Sequence, residues 1–374
     1  LKVLGDPQTE YATVHIGGTN GKGSVAVLTY EALREAGFSV GLYTSPHLVD
    51  VRERMVVNER PISREAFSAW TARLAPEIER AAASFFEATT AIAFADFAAR
   101  GVDVAVIEVG LGGRLDCTNV ITPLASGVTN IALEHTEYLG ESLEAIAREK
   151  AGIAKEGRPF VIGEPDPAVA QVLEATGREA GAQTIVVPPY ARYEAPLGLA
   201  GAHQRRNAAV AAALLEALPE RWRPNRVAVE RAFARARLSG RLDSRGRWVF
   251  DVAHNRAGAE VLVRALRAAS LVRPVHALVG ILKDKEWRGM LADLSAVCDQ
   301  MWLVVPPSVS PERRWDLPMV RRAMEGERRP LHFQPDFDRA LGEVQIGAGT
   351  MLVTGSFHTV GDALGRLPGF APIG

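Results

Sequence analysis

Cysteine is almost absent from this chain: Cys117 and Cys298 are the only two. They lie far apart and show no metal-ligand spacing, which excludes a disulfide scaffold and a cysteine-based metal site. The pair reads as reduced thiols of a cytoplasmic protein. An excess of either charge is lacking too, since 43 Lys and Arg against 44 Asp and Glu leave a net charge of −1. Nothing in that balance draws the chain to nucleic acid or to an acidic membrane surface. No charge-free apolar run reaches roughly 18 residues, so no membrane-spanning helix is expected. A signal-peptide pattern is missing, and a start at Leu1 instead of Met reads as an N-terminus that is incomplete or processed. Low-complexity tracts and internal repeats are absent. Lysine is scarce: Lys2, Lys22, Lys150, Lys155, Lys283 and Lys285 are all there are, and every other basic residue is arginine. An ammonium can lose its proton and react where a guanidinium cannot, so each retained lysine is a candidate for chemistry.

What is present describes a globular protein. A chain of 374 residues with 47% hydrophobic and 23% charged residues has room for two domains, each with a core. Strand-like apolar runs at Thr13–Gly17, Val40–Thr44, Val102–Val109, Ser126–Asn130, Pro159–Gly163 and Gln183–Val187 alternate with helical patterns. Those helices are expected at Ser24–Ala36, Ser63–Ala83, Thr89–Arg100, Leu143–Lys155 and Pro167–Glu179. Such alternation predicts an α/β fold, a mostly parallel sheet covered on both faces. Helices at Gln204–Leu218 and Val227–Ala236 lead to a hinge at Leu238-Ser239-Gly240-Arg241. A second alternating set then begins, with strands near Trp248–Asp251, Val275–Ile281, Met301–Val305 and Met351–Thr354. Two α/β domains are therefore expected, 1–238 and 239–374.

The sharpest signal is His15-Ile16-Gly17-Gly18-Thr19-Asn20-Gly21-Lys22-Gly23-Ser24, set between the first strand and the first helix. Glycines let successive backbone N–H groups turn inward, and the helix N-terminus adds partial positive charge, a cradle for phosphate. Lys22 can reach terminal phosphates, and the hydroxyl of Ser24 or Thr19 can ligand Mg²⁺. Gly23 stands between the lysine and Ser24, where the common Walker pattern has none. Other polar groups fall at carboxyl ends of strands, the ligand side of such sheets. Glu108 ends Val102–Val109 ahead of Gly110-Leu111-Gly112-Gly113-Arg114-Leu115-Asp116, and is placed to hold Mg²⁺. Ser45 and His47 follow the second strand, and His135 follows the fourth. Lys150 lies in a helix, where a surface ion pair and a reactive lysine beside a cationic site are both open readings. In the second half, Asp251-Val252-Ala253-His254-Asn255, Lys283-Asp284-Lys285 and Ser356-Phe357-His358 follow strands in the same way.

Gly18–Ser24, Thr44-Ser45-Pro46-His47-Leu48, Glu108–Asp116, Glu149-Lys150-Ala151-Gly152-Ile153 and Asp251–Asn255 occur in one order. In that series the chain resembles the folylpolyglutamate synthase / dihydrofolate synthase family of the Mur ligase superfamily, from about Leu4 to Gly361. The resemblance implies a P-loop mononucleotide-binding domain plus a smaller Rossmann-like α/β C-terminal domain. It implies an ATP-dependent ligase that phosphorylates a carboxylate of dihydropteroate or folate and lets L-glutamate displace the phosphate. Carried over by position, Gly18, Thr19, Asn20, Gly21, Lys22, Gly23 and Ser24 hold the phosphates, with Ser24 on one Mg²⁺. Ser45, Glu108 and His135 shape a second metal site, and Lys150 matches a carbamylated lysine. Asn207, Arg241, Asp251 and His254 contact adenine, ribose or α-phosphate from the hinge and second domain. Lys283–Lys285 and Ser356–His358 fall on the glutamate side. The expected partners are small molecules, with no nucleic acid and no membrane, and the expected state is a monomer. The chain departs from the family at Glu134, where Asp is usual, at Arg256, where Pro is usual, in a short 187–199 stretch, and in having little before Gly5. A Mur-type ligase acting on a peptidoglycan precursor and a P-loop switch or binding protein are the alternatives.

Overall fold

The computed structural model describes residues 1–325 and 330–373. The chain divides into two compact units. The first holds Leu1–Pro46, Val51–Leu199 and His203–Arg237; the second holds the chain from Leu238 onward together with His47–Asp50 and Ala200–Ala202.

The first unit is built on strands β1 (Ala12–Gly17), β2 (Val40–Tyr43), β3 (Met55–Val57), β4 (Arg60–Pro61), β5 (Val104–Glu108), β6 (Ala125–Val128), β7 (Pro159–Ile162) and β8 (Gln183–Val186). They lie in the order β4-β3-β2-β5-β1-β6-β7-β8. From β2 to β8 every pairing is parallel, while β3 and β4 fold back antiparallel at one edge. The connections are α1 (Lys22–Glu35), α2 (Arg64–Ala81), α3 (Phe85–Ala99), the short α4 (Thr136–Leu139), α5 (Leu143–Ala151) and α6 (Pro167–Glu179). Helices α7 (Ala202–Glu216) and α8 (Arg226–Arg235) follow the sheet. β5 is buried along its whole length, as a central parallel strand with two covered faces must be. One apolar cluster gathers Ile146, Ile153, Phe160, Ile162 and Leu173. Another gathers Tyr43, Phe94, Phe97, Ala105 and Ile107.

Sequence pattern and structure part at a few places, each with a local cause. α3 starts at Phe85, ahead of the expected Thr89, because Ser84 and Glu87 form a reciprocal capping box that satisfies two end donors. α5 stops at Ala151 and not at Lys155: Gly152 lies against Arg114, whose Cβ would be 2.4 Å from any Cβ there. β3, β4 and the short strand β9 (Asp243–Arg245) were not expected, since runs of two or three residues carry no periodicity.

The second unit holds β9, β10 (Trp248–Phe250), β11 (Val275–Val279), β12 (Gln300–Leu303), β13 (Leu331–Phe333) and β14 (Thr350–Thr354). Their order is β13-β12-β11-β14-β10-β9, parallel except for the β9/β10 edge. Helices α9 (Arg256–Ala268), α10 (Trp287–Ser295), α11 (Leu317–Ala323), α12 (Phe337–Glu343) and α13 (Phe357–Arg366) complete it. Two apolar clusters form its core: Leu262, Leu291 and Leu352 belong to one, and Phe250, Phe337 and Val360 to the other. Both units are thus α/β with mainly parallel sheets.

Candidate nucleotide and acid site

β1 runs straight into the glycine loop. Gly18 has φ +131 and Gly21 has φ +86, both in the region that glycine reaches without strain. A Cβ on Gly18 would sit 2.0 Å from Thr129 Oγ1, so the loop also needs glycine for room. Lys22 opens α1, and no side chain caps that helix end; its first N–H groups are left to an outside acceptor.

The loop is braced from the chain that follows β6. The Thr19 amide donates to the Asn130 carbonyl at 2.8 Å, and the Asn20 amide donates to Asn130 Oδ1 at 2.8 Å. Thr129 Oγ1 donates to the Asn20 carbonyl at 2.7 Å. Thr19 Oγ1 is engaged twice by Ala132, accepting from its N–H at 3.1 Å and donating to its carbonyl at 3.3 Å. Of the two hydroxyls offered by the sequence, that of Thr19 is thus engaged within the protein, which leaves Ser24, buried in the first turn of α1, as the candidate metal ligand. Thr129 and Asn130 escaped the sequence reading, although a Thr-Asn pair directly after a strand was the available signal. Asn207 belongs to the first unit, on α7, while Arg241, Asp251 and His254 belong to the second. Asn207 Oδ1 lies 2.6 Å from where a Gly21 Cβ would be.

Two ammonium groups converge on one carbonyl. Lys22 Nζ donates to the carbonyls of Gly18 and Thr19, each at 3.1 Å. Lys150 Nζ, from the last turn of α5, donates to the same Gly18 carbonyl at 2.9 Å. Lys150 is 4% exposed. Burial first, and the charge of Lys22 second, bring its ammonium down to about 7, against the opposing pull of Glu134 and Asp116. Two lysine side chains gathered at an uncapped helix start favour an anion there.

The register explains how the other candidates arrive. Ile16 pairs with Glu108, Tyr43 with Ile107 and Gly17 with Val128. The carboxyl ends of β2, β5, β1 and β6 therefore stand side by side, carrying Ser45, Glu108, the glycine loop and His135. The buried Glu108 accepts from the Ser45 amide at 3.0 Å. Arg54, also missed by the sequence reading, is buried beside it: its guanidinium lies over the Phe85 ring at 5.3 Å. Burial lowers the Arg54 guanidinium, while Tyr43 and Glu108 hold it up. His135 has φ +50 and heads α4, with Nε2 3.7 Å from Glu134 Oε1. Among the described residues no group of three or more His, Cys, Asp or Glu could cage a metal. A hydroxyl, one carboxylate and an imidazole nevertheless suit Mg²⁺, which keeps waters and leans on substrate phosphates.

A cleft of about 690 Å³ opens beside this edge, lined by α2, the start of α3 and the 114–120 loop. Leu74, Ile78, Ala91, Leu115 and Val120 make it apolar, and Asp116 supplies a carboxylate. That volume and mostly apolar lining suit a small organic molecule.

In the second unit Arg241, Asp251 and His254 gather near Phe357. Arg241 lies over that ring at 5.3 Å and the His254 ring centroid is 5.4 Å from it. Asp251 is wholly enclosed and accepts from the Leu242 and Ala253 amides, each at 2.9 Å. Burial raises its carboxyl, opposed chiefly by Arg241. Ser356 spends its hydroxyl on the Gly280 carbonyl and on capping α13, at 2.8 and 3.1 Å. Its neighbour His358 pairs through Nδ1 with Ser308 Oγ at 2.9 Å, and Lys285 pairs with Asp284 at 3.1 Å.

Comparison with known proteins gives the same picture. The Mur ligase middle domain matches residues 16–186, and the Mur ligase glutamate ligase domain matches residues 236–357. A folylpolyglutamate synthase from Lacticaseibacillus casei is 36% identical over 341 residues, 82% of this chain and 79% of that one. A solved bifunctional folylpolyglutamate synthase/dihydrofolate synthase with Mn, AMPPNP and L-glutamate bound superposes with a TM-score of 0.82. It is 30% identical, and the match covers 96% of this chain and 90% of that one. A Halobacterium salinarum relative is 36% identical over 357 residues, 87% of this chain. The chain spans only 43% of that relative's length, and 39% of a Haloferax volcanii one; both are named for a dihydropteroate synthase as well as a folylpolyglutamate synthase.

Proposed function

The chain belongs to the folylpolyglutamate synthase / dihydrofolate synthase family of Mur ligases, and from that premise we propose that it joins L-glutamate to dihydropteroate, to a folate, or to both, at the expense of ATP. The observation that carries the reading is the meeting of Lys22 and Lys150 on the Gly18 carbonyl, beside a buried strand-end carboxylate, Glu108. The Lys22 ammonium at that point neutralises charge on a triphosphate terminus and on the phosphoryl group leaving it. The acid substrate's carboxylate oxygen attacks the γ-phosphorus and ADP departs. The glutamate amine then attacks the acyl carbon, phosphate leaves, and the amine gives up its proton. Activation of the carboxylate is the point of the first step, since a bare carboxylate oxygen is a poor leaving group.

Each residue has a task in this scheme. The glycine loop from Gly18 to Ser24 and the uncapped start of α1 hold the phosphates, and Asn207 packs against the loop from α7. Ser24, Ser45, Glu108 and His135 would hold Mg²⁺, which when bound offsets the charge of the γ-phosphoryl group and the incoming carboxylate. Lys150, with its ammonium brought down to about 7, holds a share of neutral amine near neutral pH. That amine can add CO₂ with loss of a proton to give a carbamate, an anionic oxygen donor. The apolar cleft with Asp116 takes the ring system of the acid. Arg241, Asp251 and His254 serve the nucleoside from the second unit. Neither cysteine is disulfide-bonded, in keeping with a reducing compartment, and the proposed state is a cytoplasmic monomer.

The test is a coupled ADP assay offering dihydropteroate and tetrahydrofolate separately, each with and without glutamate. ADP release should require ATP, the acid and glutamate together, and Lys22→Ala should abolish it. Equal ADP release with and without the acid and glutamate sinks the ligase reading, and activity only with a UDP-muramoyl acid moves it to another Mur ligase class.

A further inference from the structure

One buried polar chain remains outside the chemistry described so far. His15 lies in β1 and is fully enclosed, as is Thr118. His15 Nε2 is 2.8 Å from Thr118 Oγ1, and Thr118 Oγ1 is in close contact with Asp116 Oδ1. Four donors converge on the Asp116 carboxylate. Oδ1 takes the Thr118 hydroxyl and the Thr118 amide, the latter at 2.9 Å. Oδ2 takes the amides of Gly110 and Leu111, at 3.1 and 2.8 Å. A hydroxyl has one proton, and here it points at the carboxylate. The His15 ring must therefore donate Nε2–H to Thr118, leaving Nδ1 as its bare nitrogen. Nδ1 is indeed buried without a partner. Burial also brings the ring down to about 3, so it stays neutral and keeps this polarity at any working pH.

We propose that His15 is a positioning residue for the acid substrate: through Thr118 it fixes Asp116, and with it the 110–117 loop that walls the apolar cleft. This rests on the reading that the cleft takes the ring system of the acid. Asp116 and Cys117 both line that cleft, and Cys117 Sγ donates to Thr90 Oγ1 on its far wall at 3.3 Å. A loop with the amides of Gly110, Leu111 and Thr118 gathered on one carboxylate depends for its shape on that carboxylate keeping its rotamer. Thr118 is the only side chain bonded to the carboxylate among the described residues, and His15 is the group that orients the Thr118 hydroxyl. An enclosed histidine with one nitrogen unsatisfied is an expensive way to fill a core, which fits a residue retained for its Nε2–H.

The experiment compares the parent with His15→Leu, His15→Gln, Thr118→Val and Thr118→Ser. Gln carries an N–H near the place of Nε2, and Ser keeps the hydroxyl. His15→Leu and Thr118→Val should each raise the KM for dihydropteroate about tenfold, the scale of one buried hydrogen bond. They should leave kcat and the KM for ATP within about twofold, a split that general loss of folded enzyme does not produce. Gln and Ser should restore the acid KM, and the Leu/Val pair should be no worse than either alone. Thr118→Val decides the matter if His15→Leu does not fold. Parent-like acid KM in both apolar variants overturns the proposal, as does a parallel rise in the KM for ATP. A separate arm follows Cys117 alkylation in the parent by peptide mass spectrometry. If dihydropteroate slows it, the cleft reading stands and the kinetics judge His15 alone. If dihydropteroate does not, the cleft reading falls and takes this inference with it.

Discussion

Lys150→Met should make the nucleotide-free protein more stable while removing its ligase activity. Met matches the unbranched lysine stem and carries no charge. In the parent the ammonium is brought from 10.5 to about 7, which at about 1.4 kcal/mol per pH unit corresponds to a cost near 5 kcal/mol. The variant also loses the bond to the Gly18 carbonyl, so a net gain of about 3 kcal/mol is expected once a charge-assisted hydrogen bond is deducted. For a unit of this size that is a rise in Tm of roughly 6–12 °C. The sign with pH follows from proton counting. Between about 7 and 10.5 the unfolded chain holds a proton that the folded one has released, so parent stability climbs through that window. Below it the full cost is present. Thermal melts of both proteins in CO₂-depleted buffer, at pH 6.5 and at pH 10, should show the variant's advantage at the lower pH and little of it at the higher. An advantage that is missing at pH 6.5, or that does not shrink with rising pH, would refute the argument that burial of this lysine is a strain. Bicarbonate should then stabilise the parent and not the variant.

Two further substitutions probe the same edge of the sheet. Glu108→Gln keeps an acceptor for the Ser45 amide but removes the charge, so the Mg²⁺ concentration for half-maximal ligation should rise about tenfold, with manganese binding by EPR weakened in parallel; unchanged manganese binding would remove Glu108 from the metal site. Gly113→Ala puts a Cβ 2.8 Å from the carbonyls of Glu149 and Lys150, so α5 must move, at a cost of about 1–3 kcal/mol in stability. Ligation should fall further than nucleotide affinity measured by calorimetry, because the shift displaces Lys150 and leaves the glycine loop alone.

The parts of this site that could be read from the sequence are those whose partners are close in the chain. A strand, a glycine turn and a helix start occupy fewer than 25 consecutive positions, so Gly18, Gly21, Lys22 and Ser24 declare their geometry without help from the rest of the protein. Glu108 and Ser45 were legible because each ends an apolar run. What could not be read depends on contacts across long separations. His15 and Thr118 are 103 positions apart, and Asn20 and Thr129 are 109 apart, with nothing local to mark either pair. The same holds for α13, which was not among the expected helices, and glycine is a poor helix former. Gly361 is there for room: a Cβ on it would lie 1.9 Å from the Leu48 carbonyl oxygen. That contact explains why His47–Asp50 belongs to the second unit although the residues on either side of it belong to the first. The Ser45-Pro46-His47 stretch is thus divided at its proline, with the candidate metal ligand Ser45 on one unit and His47 on the other. A helix glycine that looks like a flaw in the sequence is what lets the backbone of a site loop seat on α13.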